Sequence, residues 1–322
     1  MKVHAMKKPM TVTIDVETNP SRTHSGDPLE HMVWGRYKGH ELGITQMMDA
    51  ADKYGARLTF FHNYPEYHNY GNGMLDAARY IRERGHNVEI HLHPSRIKDH
   101  VFSDKGVPVI KRIQEMTPEV ASVVMDHILE LHEKATSVAA TSFRGGAYYY
   151  TPSFLDVLRD KGITLVSNDN ADNGVGVIEA KPRAPFRWDN GLLELPIANV
   201  PDWPKKGKTY AFNFNSAQFA RSSLTVERGV ELALDYLEHY DRLFPSGIPT
   251  MILHSWSLWR RDENRMFSSP GEGDLERFDQ TMKAFSERYD VVGFDTIAAD
   301  PERYGLDGSM PGQPPFVWEE PV

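Results

Sequence analysis

No cysteine occurs among the 322 residues. That absence excludes disulfides, zinc–thiolate sites, iron–sulfur clusters and thiol nucleophiles. No run approaches the 18 apolar residues of a membrane span. The basic stretch from Met1 to Met10 also lacks the apolar core of a signal peptide, so a cytoplasmic chain is expected. Excess positive charge is missing too. Lys and Arg number 36 against 45 Asp and Glu, a net charge of −9. Such a balance argues against a nucleic-acid or anionic-membrane partner. GxGxxG, P-loop, GxSxG and HExxH motifs are all absent.

What is present suffices for a buried core, with 40% hydrophobic residues and 25% charged. Fourteen histidines are also present. Any metal would be held by His, Asp and Glu alone.

The chain alternates strand and helix patterns. Strands are expected over Met10–Val16, Arg57–His62, Asn87–His93, Ala139–Phe143, Ile163–Ser167, Pro249–His254 and Val291–Phe294. Helices are expected over Gly43–Tyr54 and Met74–Arg84, stopped by Gly55 and Gly85, and over Thr117 to about His132. Three more follow over Pro152–Lys161, Leu224–Tyr240 and Leu275–Tyr289. Repeated βα units predict a parallel α/β fold, a closed or nearly closed barrel. One domain, 1–322, is expected. It carries an Asn-, Gly- and Pro-rich excursion at about 168–222, in which Leu192–Pro196 and Tyr210–Phe214 look strand-like, and a Pro/Gly-rich tail at about 305–322.

Reactive side chains gather at the strand ends. Asp15 and Glu17 are two apart, so they share a face, and like charges that close need a cation or a shared proton. His91 and His93 repeat that spacing with imidazoles, a chelating geometry. Together they predict an O,N,N site with open positions for water. Arg144 follows the fourth strand, His62 ends the second and His254 a late one. Trp34, Tyr148 and Trp256 are flat apolar faces suited to sugar rings, or else core. His86, His127, His132 and His239 are expected to be structural.

The segments TIDVE, LTFFHN, RGHNVEIHLHP, FRGGAYYYTPSFLDVLRDKGI, LLELPI and MILHSW, in that order, resemble the polysaccharide deacetylase (NodB-homology, carbohydrate esterase 4-like) family over roughly Thr11 to Phe294. The resemblance implies a distorted (β/α) barrel of about seven strands and one divalent metal. It also implies a hydrolase that removes N-acetyl or related acyl groups from a glycan or sugar, with metal-bound water as nucleophile. Zn²⁺ is the expected ion, with Co²⁺, Ni²⁺ or Mn²⁺ as alternatives.

Asp15 matches the family's base, and Glu17 stands in for the ligand acid that Val16 replaces, with the exchanged assignment left open. His91 matches the first ligand His. Ser95 occupies the second slot, so His93 is expected to substitute. Arg144 matches the Arg that tunes the base, and His254 the general acid. Asp189 and Asp202 are candidates for the acid that orients His254. A backbone N–H near Tyr148 is the expected oxyanion donor. Two other readings stay open: a C–N hydrolase of a small cyclic amide or ureide, and a catalytically silent carbohydrate-binding relative. The substrate is a carbohydrate or a small amide, and oligomeric state is left open.

Overall fold

The computed structural model describes residues 7–171, 184–216 and 224–306. The tail beyond 306 and parts of the excursion therefore lie outside the described residues. Nine strands form the main sheet: β1 (Lys8–Val16), β2 (Thr59–Asn63), β3 (Asn87–Leu92), β4 (Ser142–Gly145), β5 (Leu165–Val166), β6 (Phe186–Arg187), β7 (Leu193–Glu194), β8 (Thr250–His254) and β9 (Tyr289–Val291). Their order is β8-β1-β2-β3-β4-β5-β7-β6, and β9 pairs the start of β1. Every pairing is parallel except β6 with β7.

Among the described residues, the six longer helices between the strands are α1 (Ile44–Asp52), α2 (Asn72–Glu83), α3 (Pro118–Thr136), α4 (Pro152–Asp160), α5 (Val226–Leu243) and α6 (Glu272–Arg288). Their starts follow local rules. Thr117, Thr151 and Thr225 each accept an amide hydrogen bond from the residue three positions on, and Pro118 and Pro152 supply the first turn. Helix α2 buries Met74, Leu75, Ala77, Ala78 and Ile81, a stripe at helical spacing. None of the described helices is long and apolar enough to cross a membrane.

Strand parity divides the interior. Met10, Val12, Ile14 and Val16 of β1 join the large core shared with the helices. Thr11, Thr13 and Asp15 face the other way. The Thr11 hydroxyl donates to Thr250 Oγ1 at 2.9 Å, and Thr13 Oγ1 donates to the Met251 carbonyl at 2.7 Å. A smaller cluster of Phe61, Leu165, Leu193, Leu195, Ile248 and Phe294 fills the inward side. Among the described residues, the seam between β7 and β8 carries no continuous strand pair. Excursion residues cover it: the Ala198 amide donates to the Thr250 carbonyl at 3.0 Å, and Phe214 to that of Ile252 at 3.1 Å. The result is the expected distorted (β/α) barrel.

Some boundaries differ from expectation. The fourth strand starts at Ser142 rather than Ala139. Phe294 opens a short helix, Phe294–Ala299, and the last strand is Tyr289–Val291. Of Tyr210–Phe214 only Tyr210 and Ala211 lie in a strand, Thr209–Ala211, a hairpin partner of Asn199–Pro201.

Candidate active site

Parallel register brings the strand ends together. Asp15 pairs with His254 on one side of β1, and His91 pairs with Arg144 between β3 and β4. Paired residues on neighbouring strands share a face, so all four turn inward. Glu17 continues the parity of Asp15 two residues on.

Arg144 is wholly buried and explains the order around it. Its Nη1 donates to Asp15 Oδ1 at 2.7 Å and to Thr13 Oγ1 at 3.0 Å. Its Nη2 donates to Ser167 Oγ at 3.0 Å, and its plane lies 4.1 Å over the Phe61 ring. An isolated guanidinium would not tolerate such burial; this one meets a carboxylate, two hydroxyls and an aromatic face.

His91 is oriented through its far nitrogen. Nδ1–H donates to the Arg144 carbonyl at 3.0 Å, which leaves the Nε2 lone pair toward the carboxylates. Nε2 lies 4.0 Å from Asp15 Oδ2 and 3.7 Å from Glu17 Oε2. His93 Nε2 lies 2.8 Å from Glu17 Oε2, and His254 Nε2 is 3.8 Å from Glu17 Oε1. One donor atom each from Glu17, His91 and His93 falls within a 4.8 Å span, a set that fits a divalent cation. Asp15 stands beside this set, held by Arg144.

Burial alone would raise the Glu17 carboxyl. The hydrogen bond from His93 and the charges of His93, His91 and His254 reverse this and hold it at about 2. Burial pushes the His91 imidazole down to about 4 against the pull of Asp15. Burial also disfavours charged His93, but its hydrogen bond to Glu17 outweighs that and raises it. His93 and Glu17 thus form an ion pair, whose proton a divalent cation would displace.

The loop after β4 closes the site. A Cβ on Gly146 would sit 2.3 Å from His93 Nδ1, so only glycine leaves the ring its room. Ala147 (φ 52°) and Tyr148 (φ 63°) follow in the left-handed region, which side chains disfavour. Both line the cavity, of about 320 Å³, together with Asn170 and Asn213. A larger cavity of about 630 Å³ adjoins it and shares Glu17, Asn213 and His254. Trp256 lines that second space and stacks on the His254 ring at 4.8 Å.

Other expected residues fall elsewhere. His62 pairs with Val16 and shares its outward face, where it packs on Tyr64 beneath the helices. Trp34 packs against Tyr80 under the Arg36 guanidinium and lines neither cavity. Asp189 and Asp202 are exposed, and neither lines either cavity. Glu17 is the carboxylate nearest His254 among its ion-pair contacts. Sequence reasoning missed Thr13, Ser167, Asn170 and Asn213. Thr13 had a signal, since it sits two residues before Asp15 on the same strand.

A scan against protein-family models returns no match, and neither does a search of curated proteins. Solved structures do match. A protein from Mycobacterium smegmatis, provisionally named a polysaccharide deacetylase, aligns over 98% of this chain and 97% of its own, with a TM-score of 0.61 and 16% identity. The 4-α-glucanotransferase from Thermococcus litoralis aligns over 97% of this chain and 42% of its own, with a TM-score of 0.57 and 11% identity. A carbohydrate esterase 4 family pseudoenzyme from Bacillus anthracis aligns over 92% and 66%, at 0.48 and 10%. The deacetylase and glucanotransferase names on one scaffold do not fix a reaction. In fold, the chain is a distorted β/α barrel similar to that of the Mycobacterium smegmatis protein.

Proposed function

We propose that the chain is a metal-dependent amide hydrolase that removes acetyl or related acyl groups from an N-acylated saccharide. One observation carries this reading: three metal-competent donors, Glu17, His91 and His93, converge beside a carboxylate, Asp15, clamped by a buried arginine.

Glu17, His91 and His93 would hold the ion, and Zn²⁺ suits one carboxylate and two imidazoles. A bound divalent ion supplies Lewis acidity toward an acyl oxygen and lowers the pKa of water. The remaining work falls to the chain. Asp15 gives Oδ1 to Arg144 and takes a proton from the attacking water on Oδ2. Arg144 pairs with that carboxylate and fixes its plane. A backbone N–H beside Tyr148 faces the developing oxyanion. His254, its ring plane set by Trp256, protonates the departing amine, which is otherwise a poor leaving group.

The space supports a saccharide over a small cyclic amide or ureide. The 320 Å³ cavity continues into one of 630 Å³ walled partly by tryptophan. The test is acetate release from N-acetylated oligosaccharides by Zn²⁺-loaded protein. The expected result is turnover that chelator and His91→Ala both remove. Intact sugar binding with no metal uptake would instead identify a silent carbohydrate-binding module.

A further inference from the structure

The 630 Å³ cavity is rich in cations on an otherwise acidic chain. Arg22, Arg260 and Arg261 line it. Two carboxylates line it as well, and both are committed. Glu17 faces His91 and His93, while Asp274 accepts from Arg260 at 2.7 Å and from Arg277 at 3.1 Å. Arg22 and Arg261 pair with no carboxylate among the described residues.

The fold builds this cluster deliberately. An isolated bridge between Thr23 and Phe267 ties the segment carrying Arg22 to the hairpin of Trp259–Arg261 and Phe267–Pro270. Consecutive strand residues normally point to opposite faces. The register shifts between Arg260 and Arg261, which pair with Ser269 and Phe267 past Ser268, and both arginines line the same space. The Arg261 guanidinium rests 4.9 Å over the Phe267 ring. Partial burial, then the like charges of Arg22 and Arg265, disfavour its charge. The cavity thus offers free donors while its carboxylates are engaged.

We propose that this cavity receives an anionic substituent, a carboxylate or a phosphate, of the saccharide whose acyl group is removed beside Glu17, His91 and His93. Arg22 and Arg261 supply charge-assisted hydrogen bonds. The assignment of the reaction rests on the hydrolase reading; binding of the anion does not require turnover.

The test is calorimetric titration of the Zn²⁺-loaded protein with N-acetylglucosamine, its 6-phosphate and N-acetylmuramic acid, in the wild type and in Arg22→Gln/Arg261→Gln. The expected result is binding of one acidic sugar about tenfold or more tighter than the neutral one, with the preference lost in the double variant and metal content unchanged. Whether phosphate or muramate gains the advantage identifies the anion. Equal affinity for all three sugars overturns the proposal. So does a preference that survives in the double variant, because that preference belongs to the metal. Acyl release is followed in the same samples. A preference without release leaves the anion site standing and refutes the hydrolase reading, whereas release without a preference does the reverse.

Discussion

Gly146→Ala perturbs one ligand and little else. The added Cβ would lie 2.3 Å from His93 Nδ1, 2.4 Å from Cε1 and 2.7 Å from Cγ. Ordinary contact begins near 3.4 Å, so the ring must retreat by about 1 Å. Metal–ligand distances tolerate only about 0.2 Å. His93 therefore leaves the coordination set while Glu17 and His91 stay. The expected loss of Zn²⁺ affinity is about 10- to 100-fold, or roughly 1.4–2.7 kcal/mol. Crowding costs the fold about 1–3 kcal/mol more. Gly146 has no left-handed φ, so backbone strain adds nothing. Competition titration against a chelator measures the affinity, and thermal melting of the metal-free protein measures the fold. Gly26→Ala is the control, since nothing lies within 4 Å of its Cβ position. Wild-type affinity in Gly146→Ala, beside a clear loss in His91→Ala, would show that His93 is not a ligand.

His254→Gln is expected to keep metal affinity and lower kcat by about 10²- to 10⁴-fold, which steady-state kinetics with metal titration checks. Arg144→Leu leaves Asp15 buried without its cation. It should destabilise the fold by about 3–5 kcal/mol in denaturant melts and abolish turnover. Burial, then the charge of Glu17, raises the Glu66 carboxyl to about 7, above its unfolded value, against hydrogen bonds from Thr18. A raised folded pKa gives stability that is full below about 4.5 and lost as pH rises through 7. Wild-type Tm should therefore fall between pH 4.5 and pH 7, and the fall should shrink in Glu66→Gln, whose amide can still pair with Thr18. An equal fall in both proteins would refute that assignment.

The order of strands and helices was legible because β-rich apolar runs alternate with helical stripes and Thr-Pro caps. Asp15, Glu17, His91 and His93 were legible because i, i+2 spacing on a strand dictates a shared face. His62 was misread for lack of register. It ends a strand as His91 does, but its parity follows Val16 and sends it outward. Nothing local to Trp34 distinguishes packing on Tyr80 from stacking on a sugar. Arg22 and Arg261 lie far apart in sequence and meet only through the Thr23–Phe267 bridge, so their cavity had no one-dimensional signature.

The central claim is that one divalent ion, held by Glu17, His91 and His93, is required for acyl release. Stepwise addition of Zn²⁺ to metal-free protein, with acetate release followed at each step, tests it directly. Activity is predicted to rise in proportion to bound metal, to saturate at about one equivalent per chain, and to stay absent in His91→Ala. Acetate release by metal-free protein, or full metal occupancy with no release from neutral or acidic N-acylated sugars, would contradict it.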